Sequence, residues 1–148
     1  MSRPQPHALA DYPHTRAITT RWMDNDAYGH VNNVVSYSYF DTVVNTYLIE
    51  SGALDIAASP VIGLVVETGC HYFASLTYPE TVTAALRVAH IGRSSVRYEI
   101  ALFSVGSASA AAQGHFVHVY VDRETRRPAE LPDVLRRALD ALRVSTPE

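Results

Sequence analysis

Between Asn33 and Ser51, apolar residues recur at three- and four-residue intervals, at Val34, Tyr37, Phe40, Val44, Tyr47 and Leu48, and Gly52 follows where a helix would end. The stretch is too long for one strand, so this spacing predicts a helix, although Val34, Val35, Thr42, Val43, Val44 and Thr46 taken singly favour strands. A helix apolar over so wide an arc has to be wrapped by something. The flanking sequence supplies the wrapper. Arg16 to Met23 alternates as a strand. Val61 to Leu76 reads as a long strand bent at Gly69, followed by a turn at Thr77-Tyr78-Pro79-Glu80. Val82 to Val88 alternates regularly, with Val82, Ala84, Leu86 and Val88 inward and Thr81, Thr83, Ala85 and Arg87 outward. A turn at Ile91-Gly92-Arg93 leads to a strand at Ser95 to Phe103, and Gly106-Ser107 turns the chain into Ala108 to Val121. Three consecutive hairpins are expected, with a short amphipathic helix over Pro132 to Leu142. One sheet and one broad-faced helix imply an α+β fold, a curved antiparallel sheet wrapped around a long central helix.

Composition narrows the function. A chain of 148 residues, 47% hydrophobic and 18% charged, fits one domain with a real core. We read residues 1–13, with Pro4, Pro6 and Pro13, as a flexible N-terminal arm and residues 14–143 as the domain. A formal charge of -3 offers no long-range attraction for nucleic acid or an anionic membrane. No apolar run approaches the roughly 20 residues of a membrane span and the start lacks a signal core, so the expected location is the cytoplasm. Cys70 is the single cysteine, which excludes an internal disulfide, and it reads as a small hydrophobe. All 12 basic residues are arginine, so lysine Schiff-base chemistry is unavailable and a polyanion would be held by guanidinium forks.

The densest chemistry lies just before the helix, in Arg21-Trp22-Met23-Asp24-Asn25-Asp26-Ala27-Tyr28-Gly29-His30-Val31-Asn32-Asn33. Two carboxylates, an imidazole and three amides surround one glycine at a strand-to-helix junction, where unpaired backbone N–H groups favour anions and oxyanions. Gly29 permits either close approach of a ligand or a positive φ. Asn32 or Asn33 caps the helix. Asp24 fits a local backbone hydrogen bond, and Asp26 fits either an Asx-turn or chemistry. Asp24, Asp26 and His30 could be read as divalent-metal ligands, but three ligands within seven residues lack the distant partner that completes such a site, and no metal is expected.

The run Asp24 to Asn33, followed by the aromatic-rich helix, then Ile91-Gly92-Arg93-Ser94-Ser95-Val96-Arg97 and Val121-Asp122-Arg123-Glu124-Thr125-Arg126-Arg127-Pro128, resembles the hot-dog-fold acyl-CoA thioesterases, the 4-hydroxybenzoyl-CoA thioesterase-like branch being nearest. The resemblance covers roughly residues 14 to 140. It implies homodimers joined edge to edge, often tetramers, with active sites between subunits and acyl-CoA as substrate. No cofactor is implied beyond the coenzyme A of the substrate. By the same resemblance Asp26 is the carboxylate that acts on the thioester, as nucleophile or as general base, and the backbone N–H at about Asn33 lies over the thioester carbonyl oxygen. His30 would orient Asp26 or a water, or only hydrogen-bond backbone. Arg93, with Ser94 beside it, and Arg126 would contact the coenzyme A phosphates. Tyr37, one turn beyond Asn33, is a candidate substrate contact or a core aromatic, and Glu67 a candidate second carboxylate reaching across a dimer. His71, His90, His115 and His118 share no spacing and read as core or surface residues. Two other readings use the same cleft: a non-catalytic acyl-CoA binding module, and a dehydratase or hydratase on the hot-dog fold.

Overall fold

The long helix forms where its apolar period places it. In the computed structural model, which describes residues 3–144, α1 runs Asn33–Glu50. The Asn32 side chain accepts the Val34 N–H at 2.9 Å and so caps the first turn. At the other end Gly52, at φ 78°, lets its own N–H reach Ile49 O at 3.1 Å and the Ala53 N–H reach Leu48 O at 2.9 Å, a Schellman ending. Ser36, Tyr39, Phe40, Val43, Val44 and Leu48 form the buried face. Val34, which the spacing places on that face, is 72% exposed. Lying six residues before Phe40, it is roughly 120° round the helix from it.

β1 (His14–Thr19), β2 (Val61–Tyr72), β3 (Thr81–Ile91), β4 (Ser95–Phe103) and β5 (Ala112–Asp122) form one antiparallel sheet in the order β1-β3-β4-β5-β2, and α2 (Asp133–Asp140) closes the described chain. Val82, Ala84, Leu86 and Val88 of β3 meet Phe40, Val43 and Val44 of α1 in the main core, as their alternation requires. The helix lies in the concavity of the sheet, so the α+β wrap stands. The expectation of three consecutive hairpins does not. β2 pairs with β5, and the chain from residue 73 to 80 carries it across to the opposite side of the sheet. Gly114 shows why β2 seats there: a Cβ on it would come within 2.4 Å of Gly69 O and 2.8 Å of the Phe40 ring, so only glycine lets β2, β5 and the helix close together. The irregularity in β2 falls between Val65 and Glu67, not at Gly69.

Two boundaries move for identifiable reasons. β1 ends at Thr19, short of Met23, because the Thr20 hydroxyl turns to Glu80 O at 2.6 Å and a 3₁₀ turn, Trp22–Asp24, is capped by the Asp24 carboxylate on the Arg21 N–H. β5 starts at Ala112 because the preceding residues pair with the N-terminal arm: Leu9 N–H donates to Ala108 O and Ala110 N–H to His7 O, both at 2.9 Å. Residues 7–12, read with their proline-bearing flanks as a flexible arm, are therefore tied to the domain. Tyr12 packs edge-on against Phe103 and beneath the Arg87 guanidinium, covering a second apolar patch of Ala85, Ala101, Phe103 and Ala110 on the face away from α1. Arg87, read as outward, does point away from α1 but is buried there and paired with Glu99 at 2.8 Å.

On the helix side, β5 sets Phe116, His118 and Tyr120 in succession beneath the core. Burial pushes the His118 imidazole down to about 4, so it is neutral in the folded protein. The unfolded imidazole titrates near 6.5 and takes up the proton first as pH falls, so this contribution to stability is full above that value and is lost on the way down to the folded pKa. Between pH 7 and pH 5 the loss is expected to be about 2 kcal/mol. Urea unfolding at the two pH values should show a shallower acid loss in His118→Phe; an identical loss in both proteins would contradict it.

Candidate active site at the start of the long helix

The loop before α1 is a tight turn built on its own polar groups. Asp26 N–H donates to His30 O at 2.9 Å, Gly29 N–H to Asp26 O at 3.1 Å, and Tyr28 N–H to Asp26 Oδ1 at 2.9 Å. Asp26 thus makes the Asx-turn its type allows, through one carboxylate oxygen, on a partly exposed side chain. Gly29 sits at φ 79°, and nothing lies within 4 Å of where a Cβ would stand, so the positive φ, not close packing, requires glycine. The turn is clamped to the segment after β2: Thr77 Oγ1 donates to Gly29 O at 2.6 Å, Val31 N–H to Leu76 O at 2.7 Å, and Tyr78 N–H to Asn25 Oδ1 at 3.1 Å.

Asp24 and Asp26 have separate jobs. Asp24 is 1% exposed, and its carboxylate takes the Arg21 N–H and guanidinium and the Tyr39 hydroxyl, the last at 2.6 Å, while its carbonyl takes the Asn32 N–H at 3.0 Å. Burial by itself would raise this carboxyl, but the Tyr39 and Arg21 hydrogen bonds and the guanidinium charge hold it below the usual carboxylate range. A depressed carboxyl stabilises the fold above its unfolded pKa, and the benefit disappears as pH falls through the folded one. With both oxygens committed to Arg21 and Tyr39, Asp24 does not join Asp26 and His30 as a ligand set; among the described residues no three His, Cys, Asp or Glu side chains gather as a metal-holding group. Asp24→Ala should cost about 3 kcal/mol, since it strands the buried Tyr39 hydroxyl and unhooks the 3₁₀ turn from the helix start. Thermal unfolding should then fall by on the order of 10 °C; an unchanged midpoint would refute this anchoring role.

At the helix start the backbone accounting leaves an opening. Asn32 N–H is taken by Asp24 O, Val34 N–H by the Asn32 side chain, and Ser36 N–H by Asn32 O; among the described residues the N–H groups of Asn33 and Val35 have no acceptor, and of these two residues only Asn33 lines the cavity beside the turn. Beside it is a cavity of about 140 Å³, lined by His30, Val31, Asn33, Ser36 and Tyr72 together with residues 74–76 and Ala112. The structure thus brings His30, Gly29, Asn33 and the Asp26 turn into one corner. Ser36 and Tyr72 also belong to it. A serine in an apolar helix face, three residues after Asn33, is a readable signal for the first. Tyr72, whose hydroxyl donates to Asn33 O at 3.3 Å, had none, because its position depends on β2 pairing with β5.

The other candidates fall elsewhere. Tyr37, half-buried one turn along α1 from Asn33, packs its ring against Phe40 and Phe116 at centroid distances of 5.6 and 6.4 Å and borders the corner without lining its cavity. Glu67 pairs with His115 Nε2 at 2.8 Å, on the face away from α1. Arg93, Ser94 and Arg126 cluster at the far end of the sheet. Leu131 N–H donates to Arg93 O and Tyr120 N–H to Ser94 O, and Arg126 adopts φ 62° in the turn after β5. From Ala112 to Asp122 along β5 is about 33 Å, so one chain does not bring these arginines to its own Asn33.

A long helix packed in the concavity of one five-stranded antiparallel sheet of this order is the hot-dog architecture. The chain belongs to the thioesterase-like superfamily, whose family model matches residues 20–139, and it is a thioesterase by class. Among solved structures it is similar to the PA5185 protein of Pseudomonas aeruginosa, at 53% identity over 97% of this chain and 100% of that one, with a TM-score of 0.93. It is also similar to a thioesterase of Thermus thermophilus crystallised with coenzyme A and zinc, at 29% identity over 89% of this chain and 95% of that one, with a TM-score of 0.71. A 1,4-dihydroxy-2-naphthoyl-CoA thioesterase from Synechocystis shares the fold, at 17% identity, 85% and 94% coverage and a TM-score of 0.77. No curated protein matches the chain. No helix among the described residues is long and apolar enough to cross a membrane.

Proposed function

We propose that this protein hydrolyses acyl-CoA thioesters at the start of α1, with the Asn33 N–H as the oxyanion donor and Asp26 as the carboxylate. The observation that carries this reading is the unpartnered Asn33 amide at a helix N-terminus, where Asn33 and His30 line a cavity and the turn closed by Asp26 lies next in the chain. When water adds to the thioester carbon, negative charge moves onto the carbonyl oxygen, and a fixed amide aimed there stabilises it where the ground-state carbonyl gains less. Asp26 supplies the electron pair, either by taking the proton of the attacking water or by attacking the carbon itself to give an anhydride that water then opens. In both routes the carbon–sulfur bond breaks and the thiolate of coenzyme A leaves and is protonated. His30, whose carbonyl accepts the Asp26 N–H, holds the turn that aims the carboxylate.

Coenzyme A as carrier is supported by the Thermus thermophilus relative, which is named as a complex with it. Arg93, Ser94 and Arg126 enter this reading through a second copy. β2 is an edge strand of 12 residues, and antiparallel pairing of two such edges about a two-fold axis sets the Val61 end of one copy beside the Tyr72 end of the other. The arginines of one chain then approach the Asn33 corner of its partner, with homodimer or homotetramer as the working assembly. No metal or organic cofactor enters the scheme. The test is free-thiol release from a panel of acyl-CoA thioesters, run with a chelator present. Thiol should appear for at least one acyl group. Binding without thiol release would instead support an acyl-CoA binding module, and loss of an enoyl absorbance without thiol a hydratase.

A further inference from the structure

Behind the other end of α1 lies a second cavity, of about 250 Å³, roofed by the chain that follows the helix and floored by β2 and β5. Its apolar wall includes Leu48, Leu54, Val61, Ile62 and Leu135. Among the described residues, the buried polar side-chain atoms around it are engaged, with one exception. Asn45 Nδ2 donates to Asp41 O, Asp55 Oδ1 takes the Ala57 and Ala58 N–H groups, Ser59 Oγ takes the Asp55 N–H, and the Tyr120 hydroxyl meets that of Tyr98 at 2.6 Å. The exception is His118. It is 5% exposed and lines the cavity, and neither ring nitrogen has a hydrogen-bond partner among the described residues. Buried polar atoms without partners are uncommon and costly, so a site that keeps one is organised for something that supplies the partner.

The room beside that ring is also deliberate. Gly63 stands opposite Tyr120 in the sheet, and a side chain there would press to 3.0 Å against His118 Nδ1 and the Tyr120 ring. The wall carrying Gly63 is braced: Arg123 Nε and Nη2 donate to Ser59 O and Ile56 O at 2.7 and 2.8 Å, and its N–H reaches Pro60 O. Within one chain this cavity is far from the Asn33 corner, since Asn45 is 12 residues and about 18 Å along the helix from Asn33.

We propose that this cavity is a binding site for a small uncharged apolar group carrying one hydroxyl or carbonyl, which hydrogen-bonds to His118. Burial keeps the imidazole neutral, so one ring nitrogen donates and the other accepts, and a hydroxyl can use either. The Asp55 carboxylate beside the cavity disfavours an anion. An empty apolar cavity of roughly 150 Å³ admits benzene, so this one takes a group of that size or somewhat larger. The group has two possible sources: the acyl end of a thioester held at another copy's Asn33 corner, or a free small molecule. The first source rests on the hydrolase reading above; the site itself does not.

Phenol, toluene and benzoate are suitable probes, followed by nuclear magnetic resonance of the Leu48, Leu54 and Leu135 methyls and of the ring nitrogens of His118. Phenol and toluene should shift the methyl signals, phenol alone should move the His118 nitrogens, and benzoate should do neither. His118→Phe should weaken phenol about tenfold, to the level of toluene, and Gly63→Val should exclude both. Absence of methyl shifts in the native protein, or equal phenol affinity in native and folded His118→Phe protein, overturns the proposal. Gly63→Val decides independently if the histidine variant does not fold, since unchanged probe binding to it would also overturn the site. The source is then read from the kcat/KM ratio of terminally hydroxylated hexanoyl-CoA to hexanoyl-CoA. A native preference that His118→Phe abolishes identifies the acyl group. A ratio near one, with phenol binding dependent on His118, identifies a free molecule. Release of no thiol from any acyl-CoA would defeat the hydrolase reading and leave the phenol result standing.

Discussion

Asn33→Pro is expected to lower kcat for acyl-CoA hydrolysis by about 10²–10³, with the helix intact. Asn33 is the first residue of α1, where proline is well accommodated because the N–H it lacks has no partner inside the helix. The residue before it, Asn32, already has φ -63° and ψ 142°, the extended conformation that a following proline favours. The substitution therefore deletes one hydrogen-bond donor and little else. Asn33→Ala deletes the side chain and keeps the donor, so it should cost far less activity. Thiol-release rates and far-ultraviolet circular dichroism on the two variants check both halves. Equal activity in the proline and alanine variants would show that the amide is not the oxyanion donor.

Asp26→Asn should lower kcat by about 10²–10⁴, the range typical for loss of a positioned acid–base group. The fold should not notice. The Asx-turn uses Asp26 only as the acceptor of the Tyr28 N–H, and an asparagine side-chain oxygen accepts that bond equally well. The thermal midpoint should therefore stay within about 1 °C of native, in contrast to the loss expected for Asp24→Ala. These opposite profiles, with activity lost at position 26 and stability lost at position 24, separate the chemical carboxylate from the anchoring one. A stability loss in Asp26→Asn equal to the activity loss would return Asp26 to the role of a turn former.

The parts of this protein legible in its sequence are those set by local physics. Period and a terminating glycine define α1 from Asn33 to Ser51, one residue past its observed end at Glu50, and alternation assigns the faces of β3. Residue type at a helix start narrows the cap to Asn32 or Asn33, Gly29 to a positive φ or a close approach, and Asp24 to a local backbone hydrogen bond; the structure selects Asn32, the positive φ, and a bond to the Arg21 N–H to which the Tyr39 hydroxyl is added. What sequence does not carry is which strand lies beside which. The partner of β2 is chosen by the close approach of Gly114 to Gly69, a contact between residues 45 apart, and with it go the positions of Tyr72 and Glu67. The arm misleads for a similar reason. Its prolines describe local stiffness, whereas its order comes from the apolar patch of Ala85, Ala101 and Phe103 that Tyr12 covers. His118 looks like any strand histidine until the partners of its nitrogens are counted.

The central claim is that the Asp26 turn and the Asn33 amide cleave a thioester and do not merely hold it. Binding and thiol release measured side by side on native and Asp26→Asn protein, with the same acyl-CoA, test it most directly. The account predicts similar Kd values for the two proteins and thiol release at least ~100-fold slower in the variant. Thiol release at the same rate in both, or tight binding by the native protein with no thiol released from any acyl-CoA, would contradict it.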